Sequence, residues 1–193
     1  MYQTMSWNYY DFPARFMEGW PWESCYFHFT RGIRLANEKI PNPIEFFTIP
    51  IERYTVEMGP ALPDVFNKSG LILSDRLYRT ILEFGVDNLE AFPGVLNDAE
   101  TKERFTGYWA INVVGLIAAA DWNKSIAAVQ PGGPVIDVAF DRLVIDDTKA
   151  RGALMFRLAE NTTSVWLHQS LVEHIKKVGF PGVQFSKPTQ VFA

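Results

Sequence analysis

SVWLHQSLVEHIKKVGFPGVQF, Ser164 to Phe185, holds two of the chain's three histidines, His168 and His174, with Glu173 beside the second. A metal or acid-base site is the first reading to test. On a helix at about 100° per residue, positions six apart lie roughly 120° from each other around the axis, so one ion does not reach both rings. Glu173 and His174 are adjacent and also diverge, whereas metal-binding helices place ligands at i and i+3 or i+4. The stretch therefore predicts capping or surface histidines rather than ligands.

Ninety-four positions earlier the same pattern stands as GLILSDRLYRTILEFGVDNLEAF, Gly70 to Phe92. Leu73, Leu77, Ile81 and Gly85 fall on Leu167, Leu171, Ile175 and Gly179, while His168 falls on Ser74 and His174 on Thr80. In each copy a short apolar run meets a polar opener, then a helical stretch, a glycine and a second apolar run. That order predicts strand, helix, strand, at about 70–93 and 164–186. Leucines four apart share a helix face, and the glycine stands where a helix needs a left-handed residue to stop. The matched residues are packing and punctuation, and the histidines are not among them.

At 193 residues the chain is long enough to bury a core as one domain over 1–193. Hydrophobic residues at 48% and charged residues at 21% place it among folded globular proteins and far from disorder. Net charge of −4 without a basic stripe disfavours nucleic acid as the main partner. With a single cysteine, Cys25, no disulfide forms within the chain, which fits a reducing compartment. Aromatic neighbours around Cys25 and His28 favour a buried, inert thiol over a nucleophile. The N-terminus lacks the layout of a signal peptide, and the longest apolar run, INVVGLIAAA, is about half of a membrane span. A cytoplasmic protein with no membrane partner is expected.

An aromatic-rich segment, 1–40, opens the chain. Its first thirty residues carry Trp7, Tyr9, Tyr10, Phe12, Phe16, Trp20, Trp22, Tyr26, Phe27 and Phe29, which must lie across a core or form an interface. CYFHF is a candidate strand with Cys25, Phe27 and Phe29 on one face. Prolines 41, 43, 50, 60 and 63 then forbid a long helix and predict edge strands and turns. GVLNDAETKERFTGY bends back as a hairpin or loop into YWAINVVGLI, an extended run expected to be a central strand. AADWNKS and PGGP at 131–134 offer turns. VIDVAFDRLVID reads as a strand pair or as a strand and short helix, ALMFRL as another strand, and ENTT as a turn. The sum is an α+β, strand-rich single domain with two strand-helix-strand units.

Motifs for nucleophilic elbows, phosphate loops and zinc sites are absent from the sequence. PGGP has proline on both sides and a β-like run after it, so it is a turn and not a phosphate cradle. Asp137, Asp141, Asp146 and Asp147 could supply carboxylates, but solvated loop and strand-end positions suit them better. Arg157, between Phe156 and Leu158, suits a structural ion pair better than anion recognition. Asn112 sits in an apolar strand and must find partners, expected on neighbouring backbone, or cost about 1–3 kcal/mol. Asp121 and Ser125, one turn apart, are suited to capping a short helix. No catalytic, metal or cofactor residues emerge from this survey.

Tyr108, Asn112 and Val113, then Asp121 and Ser125, then FDRLVID, then FRL at 156–158, then the closing stretch with Gly179, Gly182 and Phe185 form an ordered set. From about 105 to 187 it resembles the C-terminal pattern of the myxobacterial-type immunity protein family of bacterial polymorphic toxin systems. Residues 1–40 lie outside the likeness. The resemblance implies a cytoplasmic inhibitor without catalytic residues that protects its producer by binding a cognate toxin. The toxin's own activity does not follow, because one fold serves many functions. Beside this reading stand two others: a hydrolase-like enzyme using Asp, Arg and His from loops, and a structural or regulatory homo-oligomer assembling through the aromatic segment. A cleft of convergent titratable groups would mark the enzyme, and a two-fold interface through residues 1–30 would mark the assembly.

Overall fold

Both strand-helix-strand units form, and each closes around a strand from elsewhere in the chain. The computed structural model describes residues 1–8, 29–35, 40–49, 61–67, 70–128 and 138–188. Along them run β1 (Tyr2–Trp7), β2 (Ile44–Phe47), β3 (Val65–Phe66), β4 (Leu71–Ser74), helix α1 (Asp75–Glu83), β5 (Leu89–Asn97) and β6 (Arg104–Val113). Then come β7 (Leu116–Ile117), β8 (Ile126–Ala128), β9 (Ala139–Arg142), α2 (Asp147–Ala150), β10 (Met155–Leu158), β11 (Val165–His168), α3 (Gln169–Val178) and β12 (Val183–Ser186).

In the first unit β4 and β5 both pair antiparallel with β6, which lies between them. In the second, β11 and β12 both pair antiparallel with β1. The two outer strands of each unit therefore run parallel, as a strand-helix-strand crossover requires, with one antiparallel strand inserted. One sheet has the order β2-β5-β6-β4-β3, the other β12-β1-β11-β10-β7, and β8 and β9 pair separately. The proline-flanked strands β2 and β3 take the two edges of their sheet, where a missing amide donor does least harm.

Local chemistry explains the matching helices. Ser74 Oγ accepts from the Leu77 amide at the start of α1. At the matched position, His168 Nδ1 accepts from the Ser170 amide at the start of α3. Gly179, at φ +86°, ends α3 in a conformation that side chains resist. The inward residues Leu73, Leu77, Ile81, Leu167, Leu171 and Ile175 join one core cluster, at most 1% exposed. The two helices pack on each other there. Burying each such side chain stabilises the fold by about 1.5–3 kcal/mol, so the two units depend on one shared core.

Alternation along the strands serves two further clusters. Ile72, Tyr108 and Ala110 face the other way from Leu71, Leu73 and Ile111, into a cluster with Phe29, Leu35, Ile44 and Phe46. Phe156, Leu158 and Trp166 face away from Met155 and Leu167, into a cluster with Tyr2, Phe140 and Leu143 from beneath the β8-β9 pair. Both sheets are thus covered on two sides, which is why their central strands read as nearly unbroken apolar runs.

Several expectations change in detail. YWAINVVGLI is two strands: β6 ends at Val113, and after Gly115, at φ +98°, β7 joins the other sheet beside β10. Phe29 and Thr30 are helical, not part of a CYFHF strand, while Cys25 to His28 and PGGP lie outside the described residues. Of the ten N-terminal aromatics named above, Trp7 and Phe29 are buried in the core and the others lie outside the described residues. From Val138 onward VIDVAFDRLVID holds β9 and an isolated antiparallel bridge from Ile145 to Ala120, and the short helix α2 begins just beyond it, at Asp147. No helix among the described residues is long and apolar enough to cross a membrane.

Candidate functional site

The residues that carried the family resemblance hold the fold together from inside. The buried Tyr108 hydroxyl donates to the Pro63 carbonyl at 3.1 Å. Burial, and then the nearby Asp64 charge, pushes that hydroxyl far above the usual tyrosine range. Asn112 is fully buried and donates from Nδ2 to the Ile33 carbonyl at 2.7 Å and to Glu90 Oε2 at 2.9 Å. Glu90 also accepts from the Leu35 amide at 2.8 Å and lies 3.7 Å from the Arg34 guanidinium. The amide thus finds a backbone carbonyl, as expected, and ties the sequence-distant segment 33–35 onto the sheet.

Asp121 and Ser125 do not cap a helix. Residues 121–125 form a turn, in which Asp121 Oδ1 accepts from the Asn123 amide at 3.1 Å. The Asp121 amide donates to the Val144 carbonyl, and Ser125 Oγ accepts from the Val144 amide at 3.0 Å. The spacing that suggested a cap clasps a neighbouring strand end instead. Lys124, 2.8 Å away, and then the Asn123 amide hold the Asp121 carboxyl below the ordinary range.

The titratable candidates stay apart. His168 caps α3 with its ring edge-on to Tyr2, while the ring of His174 lies 4.8 Å from that of Phe84 and Glu173 accepts from the Gln169 amide group. Asp146 caps α2, Asp147 meets the chain's amino terminus at 3.2 Å, and Asp141 is exposed on β9. Asp137, Cys25 and His28 lie outside the described residues. Arg157 is 2% exposed and donates to the carbonyls of Phe29, at 2.8 Å, and Thr162. Among the described residues no three His, Cys, Asp or Glu side chains gather around a common point.

Two cavities open beside the core. One, of about 180 Å³, has Arg157 as its one charged described lining residue, amid Met5, Leu71 and Met155. The other, of about 250 Å³, has Asp87, amid Val86, Leu154 and Phe156. Among the described lining residues neither brings an acid and a base together, which is the first requirement of proton-transfer chemistry.

The model of an immunity protein family, Imm11, matches residues 15–190. The chain belongs to this immunity protein family. The match begins well upstream of residue 105, so it takes in most of the aromatic segment as well as the C-terminal pattern. No curated protein matches the chain. Membership in an immunity family implies an immunity function and, in general terms, a toxin as partner.

Among the described residues, Met1, Ile33, Phe47, Leu82, Leu116, Trp122, Ile126 and Val178 are the exposed large apolar side chains. Ile126 opens β8, and Trp122 stands in the turn before it, its ring 5.7 Å from the buried ring of Phe140. Ile33 and Leu116 meet where the Gly115 amide donates to the Gly32 carbonyl. Val178, 41% exposed, stands at the end of α3 among Arg76, Lys176 and Lys177. Sequence reasoning missed this last grouping. The two lysines were legible as a helix end, but Arg76 comes from the other unit and only tertiary packing brings it there.

Proposed function

We propose that this immunity protein binds a cognate toxin effector in the cytoplasm and neutralises it by stoichiometric occlusion, without modifying it. The family match over 15–190 carries the reading. It is supported by the internal use of the motif residues: Tyr108, Asn112, Asp121 and Ser125 all bond within the fold, which leaves the outer surface for a partner. Nanomolar capture corresponds to about −12 kcal/mol, within reach of an interface of about 1,600 Å² with a few buried anchors.

The test is co-expression with the toxin domain encoded beside the gene, followed by titration of the purified pair. Protection saturating near one inhibitor per toxin is the expected result. Rescue at strongly substoichiometric amounts, with chemically altered toxin, would establish an enzyme instead.

A further inference from the structure

Three cations crowd the C-terminal end of α3. Lys176 and Lys177 occupy its last turn. Arg76 reaches across from α1 and donates to the carbonyls of Val178 and Gly179 at 3.3 and 2.9 Å. Among the described residues none of the three is paired with a carboxylate. A helix C-terminus carries only about half a negative charge, so one cation suffices to balance it and the others are in excess.

Two of these charges are already held in place. The Arg76 guanidinium lies 4.3 Å from the centre of the Phe180 ring, and the Lys176 ammonium 5.3 Å from that of Phe185. A charge fixed over a ring loses less freedom when it meets a partner, so less of the contact energy is lost to ordering. Val178 supplies exposed apolar surface among them. The whole chain is acidic at −4, so this positive end stands against the field of the rest of the molecule.

We infer that this end of the helix pair is where the toxin docks, and that the toxin presents a cluster of carboxylates around an apolar spot. The inference rests on the toxin-binding reading above. An acidic protein face fits better than nucleic acid, which carries one charge per about 1.7 Å of duplex and needs a longer basic track than three side chains.

The test compares the full chain with a Lys176→Glu, Lys177→Glu double variant and with Trp122→Ala, each first shown to keep the parent's thermal midpoint. Each is titrated against the toxin domain encoded beside the gene, at low and at physiological salt. Charge reversal should weaken binding by about tenfold or more, chiefly through slower association, and remove most of the salt dependence. Trp122→Ala should stay within about twofold, because that indole lies in the 121–125 turn, beside the separate β8-β9 pair. If the reversal variant does not keep the midpoint, Lys177→Glu alone, with one exposed side chain changed, carries the same comparison. Parent-like or tighter binding by the reversed chain would overturn the docking face and leave toxin binding intact. Failure of the parent chain to bind or protect would overturn both readings.

Discussion

Ser74 and His168 do the same work ninety-four positions apart: each ends a strand, and each side chain accepts the backbone amide that opens the next helix. Serine is a standard residue for this position and histidine is not. His168→Ala should therefore cost about 1 kcal/mol, whereas His168→Asp should restore an oxygen acceptor, place a negative charge at the helix start and hold stability within about 0.5 kcal/mol of the parent. Urea midpoints of the two variants decide it. Equal loss in both would show that His168 matters for its edge-on contact with Tyr2 instead of its cap.

The ring of Trp7 lies directly over Gly182, where an added Cβ would collide with the indole. Gly182→Ala should destabilise by about 1–3 kcal/mol, the usual cost of overpacking. Trp7→Ala should cost about 3–5 kcal/mol. Combined, the two should cost clearly less than their sum, because the truncated ring no longer opposes the methyl group. A double-mutant cycle in denaturant measures that coupling, and simple additivity would contradict the packing.

Asn112 satisfies Ile33 and Glu90 from inside the sheet. Asn112→Ala leaves the part-buried Ile33 carbonyl and one oxygen of Glu90 without their donor, at a cost of about 1–3 kcal/mol. The release should be local. Hydrogen exchange should rise first over residues 33–35, and uniform exchange across β6 would count against the tie.

Because Leu77 and Leu171 enter one cluster, the two units should unfold together. Leu77→Ala and Leu171→Ala should each lower the single thermal transition by about 2–5 kcal/mol, seen equally by near- and far-UV circular dichroism. Two separated transitions, or a protease-stable half, would refute a single cooperative domain.

Acid should weaken the fold through three carboxylates. Asp75 is held below its ordinary 3.8 by its bond from Arg79 and then by Trp109, Asp121 chiefly by Lys124, and Asp146 chiefly by Thr148. Folded values below the unfolded ones mean that the stabilisation is complete above about pH 5 and is lost as pH falls through the unfolded and then the lower folded values. Stability should be flat from neutral to about pH 5 with respect to these groups and decline below 4. Asp75→Asn should make that decline shallower, as acid titration monitored by tryptophan fluorescence would reveal.

The strand-helix-strand units were legible in the sequence because everything that makes them is local. Leucines at helical spacing, a polar side chain at Ser74 or His168, and Gly179 at the helix end act within a few residues of each other. The edge strands near Pro43 and Pro63 and the hairpin of β5 and β6 were readable for the same reason. Which strand fills each unit was not legible. β6 enters the first unit from its own hairpin and β1 enters the second from the far end of the chain. Alternating apolar residues look alike whichever partner they meet, so pairing is decided only when non-local edges and faces find one another. The same holds for Asp121 and Ser125, whose spacing suits a cap but whose partner, Val144, is supplied by another segment. It holds also for the basic end of the helix pair: Lys176 and Lys177 are neighbours in sequence, and only the packing of α1 on α3 brings Arg76 to the carbonyls beside them.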